Sequence, residues 1–160
     1  MLDDTSTVTI KVLVTVFLTG VIGVERELRN KDAGLRTHIL VGVGSTLIVL
    51  TSYYIFEQFK NIVPMDPSRI ISNIVTGIGF LCAGTIIRAG AHVSGLTTAA
   101  TLWIVAGIGM AVGAGDYKTA TIVTICVSVV LIGVRTIERE ISIRFKDKAV
   151  NGQQPENNNN

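Results

Sequence analysis

Charge is what this sequence has least of. Asp, Glu, Lys and Arg make up 16% of its 160 residues, against about 25% in ordinary globular domains. The shortage is local, because none of these residues occurs in 12–24, 37–56, 70–87, 89–115 or 119–134. A water-soluble core would need polar residues at helical spacing on the wet face of each stretch. Five such stretches in so short a chain exclude a soluble globular domain and leave no room for a folded catalytic or nucleic-acid-binding module. No acidic residue lies inside any of them, which disfavours an ion-coupled pump with a carboxylate at mid-bilayer.

Other absences narrow the class further. The two cysteines, Cys82 and Cys126, both fall in apolar stretches, so they form neither a disulfide framework nor a metal-ligand spacing and read as small buried packing residues. His38 and His92 are too isolated to suggest a metal pair, and no cofactor motif is present. There is no phosphate-binding loop of the Walker type and no paired nucleophile and base, which excludes ordinary ATP-driven transport and argues against an enzyme. A passive Mg²⁺ path is only disfavoured, since carbonyls, waters and one or two carboxylates suffice to hold a hydrated ion. The acidic start, Asp3-Asp4, lacks the basic region of a cleaved signal peptide.

What is present is apolar: 48% hydrophobic residues and 16 glycines. A membrane span needs about 20 apolar residues, and helices are expected near Val8–Val24, Thr37–Phe56, Ile70–Ile87, Thr97–Val112 and Thr119–Val134. Asp66-Pro67 reads as an N-cap with proline at the first helical position. Gly95 opens the fourth helix, Gly115 closes it and Asp116 caps the fifth. The expected fold is therefore an all-α five-span bundle over residues 1–134. An amphipathic cytoplasmic helix follows over 135–148, with Ile137, Ile141 and Phe145 on one face, then a disordered polar tail over 149–160. Ten of the 14 basic residues fall in the first loop, third loop and C-terminal flank. The positive-inside rule then puts the N-terminus outside and the C-terminus in the cytoplasm.

Several residues could carry function. Gly77, Gly79, Ala83 and Gly84 line the third span, and Ala99, Ala100, Gly107, Gly109, Ala111 and Gly113 the fourth. Gly20 and Gly23 do the same near the end of the first. Small residues let helices approach closely, either within one bundle or against a partner helix. Glu25 and Arg26 sit at the membrane boundary, as a charged anchor or as part of a cluster pairing Glu25 with Arg36 or Arg88. Capping explains Asp66, and Arg69 is an ordinary interfacial cation, although with Ser68 they could make an outer-face ion site. Asn73, buried in hydrocarbon, needs a partner such as a threonine of the fourth helix or a water. Thr97, Thr98 and Thr101 can bond their own backbone or a neighbouring helix, while Trp103 reads as a packing or lipid-facing ring.

These residues carry a resemblance to the membrane domain of the MgtC/SapB family, running from about Gly20 to Gly115. The motifs are Gly20-Val21-Ile22-Gly23-Val24-Glu25-Arg26-Glu27, Ala33-Gly34-Leu35-Arg36-Thr37-His38, Pro67-Ser68-Arg69-Ile70, Gly77-Ile78-Gly79-Phe80-Leu81 and Gly95-Leu96-Thr97-Thr98-Ala99-Ala100 followed by Leu102-Trp103. The resemblance implies a multi-pass bacterial inner-membrane protein associated with magnesium limitation and, in pathogens, with survival inside host cells. It points to an accessory or regulatory role through contacts with other membrane proteins or a second copy, the alternative being a Mg²⁺ or other divalent-cation transporter or channel. The functional positions it implies are Glu25, Arg26, Arg36, Thr37, Arg69, Asn73, Thr97, Thr98 and Trp103, with no metal ligand assigned. Many relatives continue into a soluble cytoplasmic domain that this chain does not show, and Cys82 stands where relatives commonly have a glycine.

Overall fold

The computed structural model describes residues 5–62, 64 and 66–151, with side chains described through Val134. Five helices follow one another: α1 Thr5–Leu28, α2 Leu35–Phe59, α3 Pro67–Thr85, α4 Leu96–Ala114 and α5 Tyr117–Asn151. A short antiparallel hairpin, β1 Ile87–Ala89 and β2 His92–Ser94, joins α3 to α4. Its two-residue connection starts at Gly90 with φ 64°, the positive φ that such turns require.

Local chemistry sets the helix ends. Asp66 Oδ1 accepts from the Ser68 amide at 2.9 Å, and Pro67 occupies the first turn of α3, where its missing N–H costs nothing. Gly115 ends α4 at φ 94°, and Asp116 then accepts from the Thr119 amide at 3.0 Å to start α5. The boundaries expected near Val24 and Phe56 fall short, since α1 and α2 run on through Leu28 and Phe59. The backbone of α5 continues unbroken through the segment expected to be the amphipathic helix. Of the tail expected over 149–160, residues 149–151 belong to α5; the remainder, and which face the segment's side chains present, lie outside the described residues.

Successive helices run antiparallel. Ser52, late in α2, donates to the carbonyl of Pro67 at the start of α3, and the end of α3 at Thr85 abuts Gly95 at the start of α4. α4 sits at the centre and touches all four other helices. Two core clusters flank it. Val49, Ile74, Ile78, Cys82, Leu102 and Ala106 join α2, α3 and α4, while Leu18, Ile22, Val105, Ile108, Val112 and Ala120 join α1, α4 and α5.

The burial pattern is the reverse of a water-soluble bundle. Polar groups such as Thr15, Thr46, Ser52 and His38 are fully buried, while Phe80 is 81% exposed and Phe17 71%. Four helices, α1, α2, α4 and the Tyr117–Val134 part of α5, are long and apolar enough to cross a membrane. α3 falls short of them because Ser68, Arg69, Ser72 and Asn73 occupy its first turns.

Candidate functional site

The first turns of α4, the end of α1 and the first loop enclose a polar cluster that the sequence only partly signals. Arg26 is 4% exposed, although it was expected at an accessible boundary. It is drawn inward because α1 presents Thr15, Thr19, Ile22, Gly23 and Arg26 on one buried face. Its Nη2 donates to Thr98 Oγ1 in the first turn of α4 at 3.2 Å.

Glu25 lies beside it with a side chain only 10% exposed, and it is paired neither with Arg36 nor with Arg88. Its partners are on its own helix: Arg29 one turn on, and Arg26 at 3.9 Å. Arg88 Nε instead donates to the Gly90 carbonyl at 3.2 Å, and Arg36 is exposed at the start of α2. Among the described side chains, Glu25 is the one acidic group as deeply buried as this.

His38 completes the cluster, a residue whose sequence isolation hid its role. Gly34's carbonyl oxygen lies 2.8 Å from Nδ1 and can only accept, so Nδ1 carries the hydrogen. Nε2 then faces Thr101 Oγ1 at 3.2 Å, while the same hydroxyl lies 2.9 Å from the Thr98 carbonyl. The signal that would have found His38 is spacing. His38, Gly42, Ser45, Thr46 and Ser52 form the polar and small face of α2, and in an apolar helix such a face turns inward.

A second buried network, at mid-length, was not read from the sequence at all. Thr15 and Thr46 hydroxyls lie 2.8 Å apart, and Thr46 Oγ1 lies 2.8 Å from the Gly109 carbonyl. At the far end of α1, Lys11 Nζ donates to the Gly113 carbonyl at 2.7 Å and satisfies a group that the end of α4 leaves unpaired.

The glycines divide sharply. A Cβ at Gly23 would lie 2.9 Å from Leu35 Cα, and one at Gly113 2.8 Å from Val49 Cβ, so these positions and Gly109 sit at real helix crossings. Gly20 has ordinary contact space, 3.7 Å to Ile39. Gly77, Gly79, Gly84 and Gly107 meet nothing within 4 Å, and Ala83 is exposed, so the small-residue face of α3 packs against no described part of the chain. α3 instead buries Ile74, Ile78 and Cys82, one turn apart, with Cys82 Sγ donating to the Ala99 carbonyl at 3.1 Å. Cys126, expected to be buried, is exposed on α5.

The other expected site residues are scattered. Thr98 belongs to the cluster, Thr97 is exposed at the rim of the depression beside it, and Thr37 and Trp103 are exposed elsewhere. Asn73 does not bridge α3 to a threonine of α4; it is exposed in a groove between α2 and α3 beside Gly44 and Gly77. Asp66 and Arg69 share a depression of about 560 Å³ at the opposite end, where the Ser68 side chain and backbone hold the Asp66 carboxyl below the usual carboxylate range. No group of three or more His, Cys, Asp or Glu side chains suited to a metal occurs among the described residues.

Comparison with known proteins adds an independent line. The model of the MgtC family matches residues 12–140. YhiD of Escherichia coli (strain K12), whose assigned name proposes a magnesium transporter, is 45% identical over 111 residues, covering 68% of this chain and 52% of that protein. Protein MgtC of Salmonella typhimurium (strain LT2) is 43% identical over 125 residues, 76% of this chain and 51% of that one. Protein SapB of Bacillus subtilis (strain 168) is 47% identical over 104 residues, 62% of this chain and 44% of that one. The chain thus spans about half the length of these relatives. No solved structure matches it.

Proposed function

The chain belongs to the MgtC family, and on that footing we propose that it is a multi-pass bacterial inner-membrane protein with an accessory or regulatory role in magnesium homeostasis, exerted through contacts with other membrane proteins. The observation that carries this reading is the state of Glu25. The single deeply buried carboxylate of the described bundle is held between the guanidinium groups of Arg26 and Arg29. A Mg²⁺ site commonly adds one or two carboxylates to its waters and carbonyls, and here the one buried carboxylate is already paired with two cations.

α3 serves in this reading as the fifth crossing. Its 19 residues extend about 28 Å at 1.5 Å per residue, close to the thickness of a hydrocarbon core. It also runs antiparallel between α2 and α4. Five crossings set the termini on opposite sides and the first loop and hairpin on one side, and the positive-inside rule makes that side cytoplasmic in this reading. α3 also offers the contact face. A Cβ on Gly77, Gly79 or Gly84 would meet nothing within 4 Å among the described residues, and Phe80 beside them is exposed. A photo-crosslinker placed at position 80 in living membranes should capture a membrane protein or a second copy. Recovery of lipid adducts alone would contradict the partner reading.

The second reading, divalent-cation transport, is favoured by the name given to the Escherichia coli relative. Flux through reconstituted vesicles separates the two.

A further inference from the structure

A groove of about 450 Å³ runs between α2 and α3, with Ile74 and Ile78 buried at its floor and Leu40, Ile48 and Leu81 exposed along its rims. Two polar side chains, Ser45 and Asn73, belong to its lining. Ser45 is already served, because its hydroxyl donates to the Val41 carbonyl at 2.9 Å. Asn73 is exposed and has no hydrogen-bond partner among the described residues.

Depth is what makes that amide costly. The bond from Ser52 to the Pro67 carbonyl sets the start of α3 well inside the outer end of α2 at Phe59. Asn73 stands about 9 Å further along α3 at 1.5 Å per residue. It therefore shares the groove with Gly44, Ser45 and Ile48, in the middle of the 25-residue α2. Acyl chains offer no hydrogen bond at that level, so a carboxamide there requires a protein partner.

The partner has to bring a hydrogen-bonding group to the same depth. A second copy inserted in the same orientation does so by construction, since a two-fold axis along the membrane normal carries Asn73 onto Asn73 at one level. A carboxamide both donates and accepts, so two of them pair reciprocally. The surface leaves room for this approach: a Cβ on Gly44 or Gly77 would meet nothing within 4 Å. Asn73, Gly77, Phe80 and Gly84 also recur at the alternating four- and three-residue spacing of a helix–helix seam.

We propose that the α2–α3 groove is the interface of a symmetric dimer, in which α3 of each copy packs against α3 of the other and the two Asn73 amides hydrogen-bond across the axis. This names the partner of the α3 contact face and rests on the reading of α3 as a crossing. Its readout is the number of copies in the particle, and not magnesium flux.

The full chain is purified in neutral detergent and its copy number followed by native mass spectrometry through a dilution series. The parent chain is expected as a dimer. Asn73→Leu should weaken self-association about five- to thirtyfold, the range for a hydrogen bond between membrane helices, and Asn73→Gln, which keeps the carboxamide, should stay near the parent. A chain monomeric at every concentration, an Asn73→Leu dimer as tight as the parent, or equal weakening by leucine and glutamine overturns the proposal. A second arm leaves Asn73 intact. In liposomes, Gly77→Cys on a Cys126→Ser background should form an intermolecular disulfide on mild oxidation, while Ile122→Cys on the same background, exposed on α5, should not. If Asn73→Leu does not fold, this arm decides, and absent cross-linking at position 77 or equal cross-linking at both positions overturns the proposal. A monomer that still captures a different membrane protein at position 80 ends this inference and leaves the regulatory reading standing; a dimer that admits Mg²⁺ does the reverse.

Discussion

Gly42 in α2 and Gly109 in α4 bring two helix backbones into direct contact: a Cβ on Gly109 would press on the Gly42 carbonyl oxygen and lie 3.0 Å from its carbon. The approach places the Gly109 carbonyl within 2.8 Å of the Thr46 hydroxyl. α1 approaches α2 closely as well, where a Cβ on Gly23 would lie 2.9 Å from Leu35 Cα.

Gly109→Ala must push backbone against backbone, and overpacking of this kind costs about 1–3 kcal/mol. Gly107→Ala, two residues away, meets nothing within 4 Å and should be neutral or stabilising by up to about 1 kcal/mol, because alanine is the better helix former. Thermal unfolding of the two variants in the same detergent checks the contrast. Equal loss of stability in both would contradict the crossing described here.

Thr46→Val keeps the shape and removes the hydroxyl. The three close contacts among Lys11 carbonyl, Thr15, Thr46 and Gly109 carbonyl share only two hydroxyl hydrogens. Thr46 donates to the Gly109 carbonyl, and the one Thr15 hydrogen serves either the Lys11 carbonyl or Thr46, which stands in the middle of the row. Removing the middle link should cost about 0.6–2 kcal/mol, the range for hydrogen bonds between helices in membranes. Thr46→Ser should retain most of that stability.

The contrast between Gly107 and Gly109 marks where sequence reading stops. Helix ends were legible because caps are local: Asp66-Pro67, Gly95, Gly115 and Asp116 act on neighbours within three residues. Apolar stretches were legible because hydrocarbon demands length. Facing was not read, because small residues occur on both sides of α3 and α4, and a contact such as Gly42 with Gly109 spans 67 positions. The sequence offers Glu25 and Arg26 as a boundary anchor or as a cluster joining Glu25 to Arg36 or Arg88, and nothing local to them signals that Arg26 turns inward to Thr98. His38 was passed over because its partner, Thr101, is 63 residues away. The hairpin between α3 and α4 went unread although Gly90 offers the turn residue, since three-residue strands leave no measurable alternation.

Glu25→Gln leaves the buried guanidinium of Arg26 without its nearest compensating charge. Breaking a buried pair by removing one partner costs about 3–5 kcal/mol; the partial exposure of Arg29 places the expected loss near the lower bound. The effect should be little changed between low and high salt, since buried pairs are weakly screened. A loss that vanishes at high salt would place the pair at the surface.

Asp116 gives a pH-dependent signature outside the apolar spans. Hydrogen bonds from the Thr119 amide and hydroxyl hold its carboxyl below the usual range. A depressed folded-state value means that the contribution is present above the unfolded value, near pH 4, and is lost as pH falls through the lower folded value. Asp116→Ala should lower stability at neutral pH, as loss of a helix N-cap does, and the difference from the parent should shrink on acidification. A difference that grows as pH falls would contradict the assignment.

The most direct test is Mg²⁺ influx into liposomes that hold the full chain and a Mg²⁺-sensitive dye, driven by an inward gradient. With Glu25 locked between Arg26 and Arg29, the expected result is a dye response equal to that of protein-free liposomes. Protein-dependent influx that Glu25→Gln abolishes, with the variant still folded, would contradict it and make this carboxylate part of an ion path.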